Sequence, residues 1–257
     1  NPWKALGQGA VDVPVLLDEL DALPADAEAQ AAITAEDIVA FLLLNGLFLF
    51  VFPDSSILDY GYATLEKFFD LAPWILMFLV PAITMRSWSD EFKGGTFEIL
   101  QTKPLSASQL VTGKYLGALA IVFIALLPTI IYAISVQALS ADKGIDMGGT
   151  IGSYIGLFLL AAVFTAIGTW CSSLTPNSVV AFLLSAFLCF LLYIGFSAIS
   201  KLPAFQGNLD YVLEMLGIDF HYRSISRGVL DSRNLVYFGS IIAFLKLNET
   251  MKKPIRI

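Results

Sequence analysis

Long apolar runs are the feature that most constrains the fold of this chain. A helix rises about 1.5 Å per residue, so crossing about 30 Å of bilayer hydrocarbon takes roughly 20 residues. Runs near this length recur along the 257 residues, of which 57% are hydrophobic and 14% charged. They lie at 38–52, 68–85, 115–139, 151–171, 179–199 and 235–245. We therefore predict an all-α, polytopic membrane protein with about six transmembrane helices, the first and the last of them short.

The net charge of −7 belongs to the N-terminal tract. Residues 1–37 carry eight acidic side chains against one lysine, and the remaining 220 residues are neutral overall. The charge therefore points to no basic partner, and we predict no nucleic-acid binding. We divide the chain into an acidic N-terminal tract, 1–37, and a membrane domain, 38–257. The chain begins at Asn1 without a Met-led, positively charged signal peptide, which is typical of a fragment.

Lysine and arginine are distributed unevenly between the loops, which predicts the orientation. Cytoplasmic loops of membrane proteins carry an excess of these residues. With the N-terminus inside, nine of them lie on the cytoplasmic side and six outside. We therefore predict a cytoplasmic N-terminus, which places residues 86–106 in a cytoplasmic loop between the second and third runs.

The cytoplasmic segment 86–106 combines helix-breaking with helix-capping residues. The second helix should continue past the membrane and end at the glycine pair 94–95, because glycine permits a left-handed turn. Thr96 can cap a short crosswise helix that Pro104 closes, and Ser106 opens a capping-box pattern for the third helix. The segment is thus predicted to be a short helix lying across two long ones.

The crosswise helix is too short to bury its own apolar side chains. A helix of under two turns is not stable alone, so another surface must cover Phe97, Ile99 and Leu100. One interpretation is a cytoplasmic partner, with Glu91 and Glu98 offering charge pairs around this small apolar centre. The alternative is that the side chains rest on the bilayer interface or on the helices of the same chain.

Small residues at the start of the fourth run indicate close helix packing. Gly148, Gly152 and Gly156 form two overlapping GxxxG steps. Small residues four apart let a second helix approach closely. This face is predicted to pack either within the chain's own bundle or against another subunit.

The segment between the fifth and sixth runs is predicted to form two short helices at the outer membrane interface. Apolar residues recur there at the spacing of one helix face, at 209, 212, 213 and 216. Gly217 can end the first helix and Asp219 can cap the second. His221, Arg223 and Arg227 would then face lipid phosphates or, alternatively, a substrate headgroup.

Four blocks of sequence carry a family resemblance in a fixed order. In chain order they are LLLNGLFLFVFPDSSILDYGYATLEKFFDLAPWILMFLVPA, PAITMRSWSDEFKGGTFEILQTKPLSASQLVTGKYLGAL, GSYIGLFLLAAVFTAIGTWCSSLTPNSVVAFLLSAFLCFLLY and HYRSISRGVLDSRNLVYF. Over about residues 41–244 the chain resembles the ABC-2 class of ABC-transporter permeases. Within that class it is most similar to the gliding-motility-associated permease subunits.

The resemblance implies both a fold and a function. Residues 38–257 would be an ABC-2 type transmembrane permease domain, and the crosswise helix would be the coupling helix that docks on an ATPase subunit. The chain would pair with an identical or related permease in the bacterial inner membrane and couple ATP hydrolysis to export, with ATP and Mg bound by the ATPase partner. The alternative is a non-transporting scaffold or assembly subunit of a motility or secretion machine.

The chain itself carries no motif for catalysis. The Gly-Lys pair at 113–114 fails as a phosphate loop, because Ser108 and Tyr115 stand where that loop needs a glycine and a Ser or Thr. One histidine and two cysteines in apolar runs offer no zinc or haem site. Cys171 and Cys189 are predicted to be buried thiols rather than a disulfide. We therefore expect no enzymatic activity, no catalytic residue, and no cofactor or metal in this chain.

The polar residues at membrane depth are not ionisable near neutral pH, which argues against a proton relay or an ion pathway. A lipid-linked or hydrophobic cargo would suit such a lining, and hydrogen bonds between helices explain it equally well. These residues are Asn45, Gln137, Ser153, Tyr154, Thr165 and Tyr193.

Overall fold

The computed structural model describes residues 25–51, 64–95, 97, 106–140, 145–203, 210–228 and 231–252. The chain divides into two units, Asn1–Asp37 and Ile38–Ile257, and residues 1–24 of the predicted acidic tract lie outside the described residues. The described part of the chain contains helices and turns and no β-strand. Its α-helices are α1 (Ala25–Phe50), α2 (Glu66–Thr84), α3 (Arg86–Gly94), α4 (Ala107–Leu126), α5 (Ile130–Leu139), α6 (Met147–Ser172), α7 (Ser178–Phe190), α8 (Phe196–Ser200), α9 (Asp210–Leu216), α10 (Ile218–Ser226) and α11 (Ser232–Lys252).

Among the described residues, four continuous helical segments are long and apolar enough to cross a membrane. They are Glu66–Gly94, formed by α2 and α3, then Ala107–Leu139, Met147–Ser172 and Ser178–Ser200. The apolar part of α1, Ile38–Phe50, is shorter, as the sequence indicated. The prediction of an all-α, polytopic membrane protein is confirmed. The last predicted run, 235–245, lies inside α11, which extends well beyond it to Lys252.

The helix ends follow the capping residues that the sequence predicts around 86–106. The helix formed by α2 and α3 ends at Gly94, and Gly95 adopts the left-handed conformation with φ 70°. At the start of α4 the Ser106 side chain accepts from the backbone N–H of Gln109, and the Gln109 side chain accepts in return from the backbone N–H of Ser106. The predicted break and the predicted capping box are both confirmed. Thr96 and Pro104 lie outside the described residues.

Helix α6 is the centre of the bundle. It packs against α2, α4, α7, α10 and α11, and 16 of its 26 residues are buried. Helix α4 buries only six of its 20 residues, and its exposed residues are mostly apolar, as suits a surface in contact with lipid. The buried Cys171 and Cys189 are free thiols, so the prediction of no disulfide between them is confirmed.

Helices α6 and α2 approach each other closely at Gly168. A Cβ placed on Gly168 would lie 1.9 Å from Thr84 Oγ1 and 2.8 Å from Thr84 Cβ. Thr84 is fully buried and donates its hydroxyl to the Val80 carbonyl at 2.8 Å, so its side chain cannot turn away into solvent. Only glycine at position 168 allows α2 and α6 to lie this close.

Helix α10 corrects the prediction of an interfacial helix with Asp219 as its cap. The helix begins at Ile218, so Asp219 lies in its first turn and forms an ion pair with Arg223 at 2.8 Å. Five of its nine residues are buried and it packs on α6, because its apolar face meets the glycines of that helix rather than lipid. His221 is 5% exposed, with its ring nitrogens 2.8 Å from Asn234 Oδ1 and 2.9 Å from the Met215 carbonyl, so it does not face lipid phosphates.

A proline in α2 explains how α10 is held. Pro73 has no N–H, so it cannot make the helical hydrogen bond to the carbonyl of Phe69. The hydroxyl of Tyr222 donates to that carbonyl instead, at 2.7 Å. Tyr222 is 2% exposed, and this bond fastens α10 to α2.

Candidate functional site

An aromatic cluster, which we define as Trp88, Phe92 and Phe97, lies on both sides of the break at Gly95. The ring centroids of Phe92 and Phe97 are 5.0 Å apart, and those of Trp88 and Phe97 are 6.2 Å apart. Phe97 therefore rests on α3 of its own chain with part of its surface exposed. Among the other predicted coupling-helix residues, Thr96, Glu98, Ile99 and Leu100 lie outside the described residues.

Trp88 anchors the first turn of α3 to two other helices. Its backbone N–H donates to Ser172 Oγ of α6 at 2.9 Å, and Ser172 Oγ donates to the Met85 carbonyl at 2.8 Å. Its indole Nε1–H donates to Glu249 Oε1 of α11. Trp88 and Ser172 are fully buried and Glu249 is 1% exposed, so these bonds are shielded from water. The segment before the break is thus fixed to α6 and α11.

Glu91 forms an ion pair with Lys114 of α4. The Lys114 ammonium also donates to the Ser87 carbonyl and lies 4.4 Å from the centroid of the Trp88 ring. The second carboxylate oxygen of Glu91 is buried and has no hydrogen-bond partner among the described residues. The structure thus places Glu91 in a contact within the chain, and its predicted role in docking a partner stays a prediction.

The sequence did not single out three of these anchoring residues. Trp88 lies in a stretch whose glycines, proline and charges attract attention before its tryptophan does. Ser172 is a small polar residue at the end of an apolar run, and nothing else in the sequence marks it. Glu249 was interpreted as lying beyond a short last run. A buried face along α11, at Asn234, Phe238, Leu245 and Glu249, has helical spacing and is the pattern that would have located it.

The glycine face of α6 meets α10 of the same chain. A Cβ on Gly152 would lie 3.2 Å from Gly228 Cα, and one on Gly156 would lie 3.0 Å from Ile225 Cγ2. A Cβ on Gly148 would approach only the nearby Asp146 side chain, at 3.4 Å. Gly152 and Gly156 are therefore occupied by contacts inside the chain.

An open cavity of about 880 Å³, which we call the outer chamber, lies at the opposite end of the bundle from Gly95. The starts of α2 and α6, the end of α8 and one face of α10 line it. Its charged residues are Glu66, Asp70, Asp146 and Asp219, against Lys201, Arg223 and Arg227. The hydrogen bond to Asp219 raises the pKa of Arg223, and the charge of Asp70 acts in the same direction. The chamber therefore presents charges of both signs to whatever enters it.

The described residues contain no group of three or more His, Cys, Asp or Glu that could hold a metal ion. They offer two features instead. One is helix α3, which is anchored at Trp88 and leads into the Gly95 break, and the other is the outer chamber. An anchored helix can transmit movement, and a chamber with charges of both signs can bind a ligand; neither is an arrangement for covalent catalysis.

Comparison with known protein families identifies the family of the chain. The family described as ABC-2 family transporter protein matches residues 25–222, which include all of α1 to α9 and half of α10. No curated protein matches the sequence. Because this match covers well over half of the 257 residues, the chain belongs to the ABC-2 family of transporter proteins.

Proposed function

We propose that this ABC-transporter permease subunit works as an exporter, driven by a separate ATPase chain that docks at the Gly95 break. The observation that carries the proposal is the anchoring of Trp88, which joins the first turn of α3 to α6 through Ser172 and to α11 through Glu249. A docking segment can drive a transporter only if its displacement reaches the membrane helices, and these buried bonds provide that connection.

The proposed mechanism starts at the segment that follows Gly95. Two permease chains, identical or related, each receive one ATPase at this segment, and closure of the ATPase pair on ATP and Mg pushes on it. Since α2 and α3 form one helix of 29 residues, the push tilts α3 and the inner part of α2. Their contacts with α6 pass the movement to the centre of the bundle, and a substrate moves outward.

The docking surface consists of Phe97 with the predicted residues around it. Phe97 is half-buried on the aromatic cluster and keeps part of its ring exposed for a partner. Glu91 pairs with Lys114 inside the chain. The charged contact with the ATPase is therefore assigned to Glu98. Ile99 and Leu100 complete the small apolar centre.

Co-purification with the ATPase tests the docking site. The chain is expressed with candidate ATPase chains, and the retained ATPase is measured for Glu98→Lys. Reversing a charge at the rim of a small interface should weaken binding by about tenfold or more. The matched control is Glu214→Lys, the same reversal at an exposed position on α9. Equal retention in both variants, together with unchanged retention in Leu100→Asp, overturns the docking assignment.

Reconstitution separates transport from the scaffold alternative. Permease and ATPase are placed together in liposomes, and ATP hydrolysis is measured with fractions of envelope lipids. Stimulation by a fraction supports a transporter. A complex that assembles but shows no stimulation with any fraction supports the non-transporting scaffold.

The gliding-motility type rests on the resemblance of the four sequence blocks. Disrupting the gene should abolish surface spreading of the source bacterium while growth in liquid continues. Spreading that persists in the disrupted strain removes this part of the proposal and leaves the exporter itself to the liposome test.

The orientation and the inner-membrane location are tested by labelling in intact cells. Single cysteines are placed at the exposed positions Ser108 and Glu214 and treated with a membrane-impermeant maleimide. With the N-terminus cytoplasmic, position 214 should react and position 108 should react only after lysis. The native thiols at 171 and 189 are buried and give a low background.

A further inference from the structure

A second cavity adjoins the outer chamber along α1 and α2. This cavity, which we call the apolar groove, has a volume of about 320 Å³. Asp70 and Trp74 line both the groove and the chamber, so the two cavities share a wall. Both volumes lie within the range of roughly 300 to 1,000 Å³ that is usual for sites of small ligands.

The lining of the two cavities changes from charged to apolar along α2. Lys67 and Asp70 lie within the first turns of the helix, and Leu71 and Trp74 follow deeper. The whole change takes about 10 Å at the rise of an α-helix. Phe48, Leu49 and Phe68 complete the apolar part of the groove. A ligand that fills both cavities must therefore be polar at one end and apolar at the other.

Asn45 marks a hydrogen-bonding position inside the groove. Its side chain is 1% exposed, and its Nδ2 donates to the Phe41 carbonyl at 2.8 Å. Its Oδ1 is buried and has no hydrogen-bond partner among the described residues. A buried acceptor without a donor is unfavourable, and a ligand whose N–H or O–H group reaches this oxygen would satisfy it.

The charges of the two cavities exclude a headgroup of one sign. Asp219 and Arg223 neutralise each other in their ion pair, which leaves the carboxylates of Glu66, Asp70 and Asp146 facing the chamber with Lys201 and Arg227. An anionic headgroup would meet the three carboxylates, and a cationic one would meet these two cations and Lys67, which lines the groove. A headgroup that carries a separated positive and negative charge can pair with both sets.

We propose that the outer chamber and the apolar groove form one binding site for a zwitterionic amphiphile with a primary ammonium and a phosphate, such as a phosphatidylethanolamine lipid. The ammonium donates to Asp70 and Asn45, the phosphate meets Arg227 and Lys201, and a hydrocarbon chain lies along Trp74. As the substrate class of the transporter, this inference rests on the proposed function; as a binding site, it stands without the ATPase.

Lipid binding to the purified chain, without any ATPase, tests the site. The chain is titrated with phosphatidylethanolamine, phosphatidylcholine and phosphatidylglycerol of equal chain length, and bound lipid is counted by native mass spectrometry. Phosphatidylethanolamine should bind about tenfold more tightly than phosphatidylglycerol, which lacks the positive charge. It should also bind more tightly than phosphatidylcholine, whose quaternary ammonium has no N–H.

Variants of the shared wall locate the site, each with a matched control on α2 or α3. Trp74→Ala should weaken phosphatidylethanolamine binding by about tenfold, and the control Phe78→Ala, an exposed aromatic one turn deeper that lines neither cavity, should not. Asp70→Asn should weaken binding, and Asp90→Asn, at the other end of the helical segment, should not. Asn45→Leu should remove the preference over phosphatidylcholine.

Three results overturn the proposal. If phosphatidylglycerol binds as tightly as phosphatidylethanolamine, the site does not select a zwitterionic headgroup. If Trp74→Ala binds phosphatidylethanolamine as tightly as Phe78→Ala does, the lipid does not bind at this wall. If Asn45→Leu keeps the preference over phosphatidylcholine, the Asn45 amide does not recognise the ammonium. Trp74 is 45% exposed, so the intact fold of its variant can be checked by size-exclusion chromatography. If lipid binding holds but no ATPase co-purifies, the site stands and the proposed exporter fails.

Discussion

Replacing Gly168 by alanine should drive α2 and α6 apart. The added methyl group would lie 2.8 Å from Thr84 Cβ and 1.9 Å from Thr84 Oγ1. The hydroxyl can rotate, but Thr84 Cβ is bonded directly to the backbone and moves only with the helix. Carbon atoms pack at about 3.5 to 4.0 Å, so the two helices must separate by about 1 Å at this level.

The expected loss in free energy of unfolding follows from the cost of overpacking a well-packed interior, which is about 1–3 kcal/mol per substitution. For a chain of this size each kcal/mol lowers the melting temperature by roughly 2–4 °C, so Gly168→Ala should lower it by about 2–12 °C. Thr84→Gly removes the facing Cβ and should restore part of this loss in the double variant, apart from about 1 kcal/mol for an added helical glycine.

The assay is thermal unfolding of the purified chain in one detergent. The matched control is Gly117→Ala in α4, where a Cβ meets nothing within 4 Å and the melting temperature should not fall. If Gly168→Ala and Gly117→Ala unfold at the same temperature, the close approach of α2 and α6 described above is wrong.

Three further substitutions probe the break, the anchor and the α10 contact. Gly95→Ala should cost about 1–2 kcal/mol in free energy of unfolding, because φ is 70° there, and Gly95→Asn should cost less. Trp88→Phe and Glu249→Gln should be non-additive in thermal unfolding, with a coupling energy of about 0.5–3 kcal/mol, and strict additivity would contradict the bond between them. Tyr222→Phe leaves the Phe69 carbonyl without a donor, should cost about 1–3 kcal/mol, and should speed amide hydrogen exchange in α10; unchanged exchange would argue against the contact.

The ends of the helices around the break could be predicted from the sequence because they depend on neighbouring residues. Glycine at position 95 accepts a positive φ without a Cβ clash, and the Ser106 and Gln109 pair satisfies two N–H groups within one turn. The four long apolar segments could also be predicted from the sequence, since bilayer thickness alone sets their length.

The length of α11 could not be predicted by the same reasoning. Lys246 and Glu249 interrupt the apolar run, and the sequence pattern there indicates the end of a membrane segment. The helix continues because Glu249 accepts from the indole N–H of Trp88, which lies 161 residues earlier, and because Lys246 lies 4.7 Å from the centroid of the Tyr115 ring. A local pattern contains no information on partners so far away in the chain.

The position of α10 was misjudged for a related reason. An amphipathic helix of nine residues has the same sequence pattern whether its apolar face rests on lipid or on protein. The outcome here depends on Gly152 and Gly156, which leave room on α6 for Ile225 and Tyr222. The spacing of those glycines predicts a close helix contact, but it does not identify the helix that fits against them.

Pro73 makes α2 a helix of two unequal halves. Between Pro73 and Gly95, a second proline at position 81 interrupts the backbone hydrogen bonds again, and the contacts of Thr84 and Trp88 hold this part of the helix. Outward of it, the turns from Glu66 to Asp70 form one wall of the outer chamber, and the carbonyl of Phe69 depends on a hydroxyl from α10. Because Pro73 removes the helical bond to the Phe69 carbonyl, the position of this wall depends on the Tyr222 hydroxyl as well as on its own helix, so α2 and α10 together set the width of the chamber.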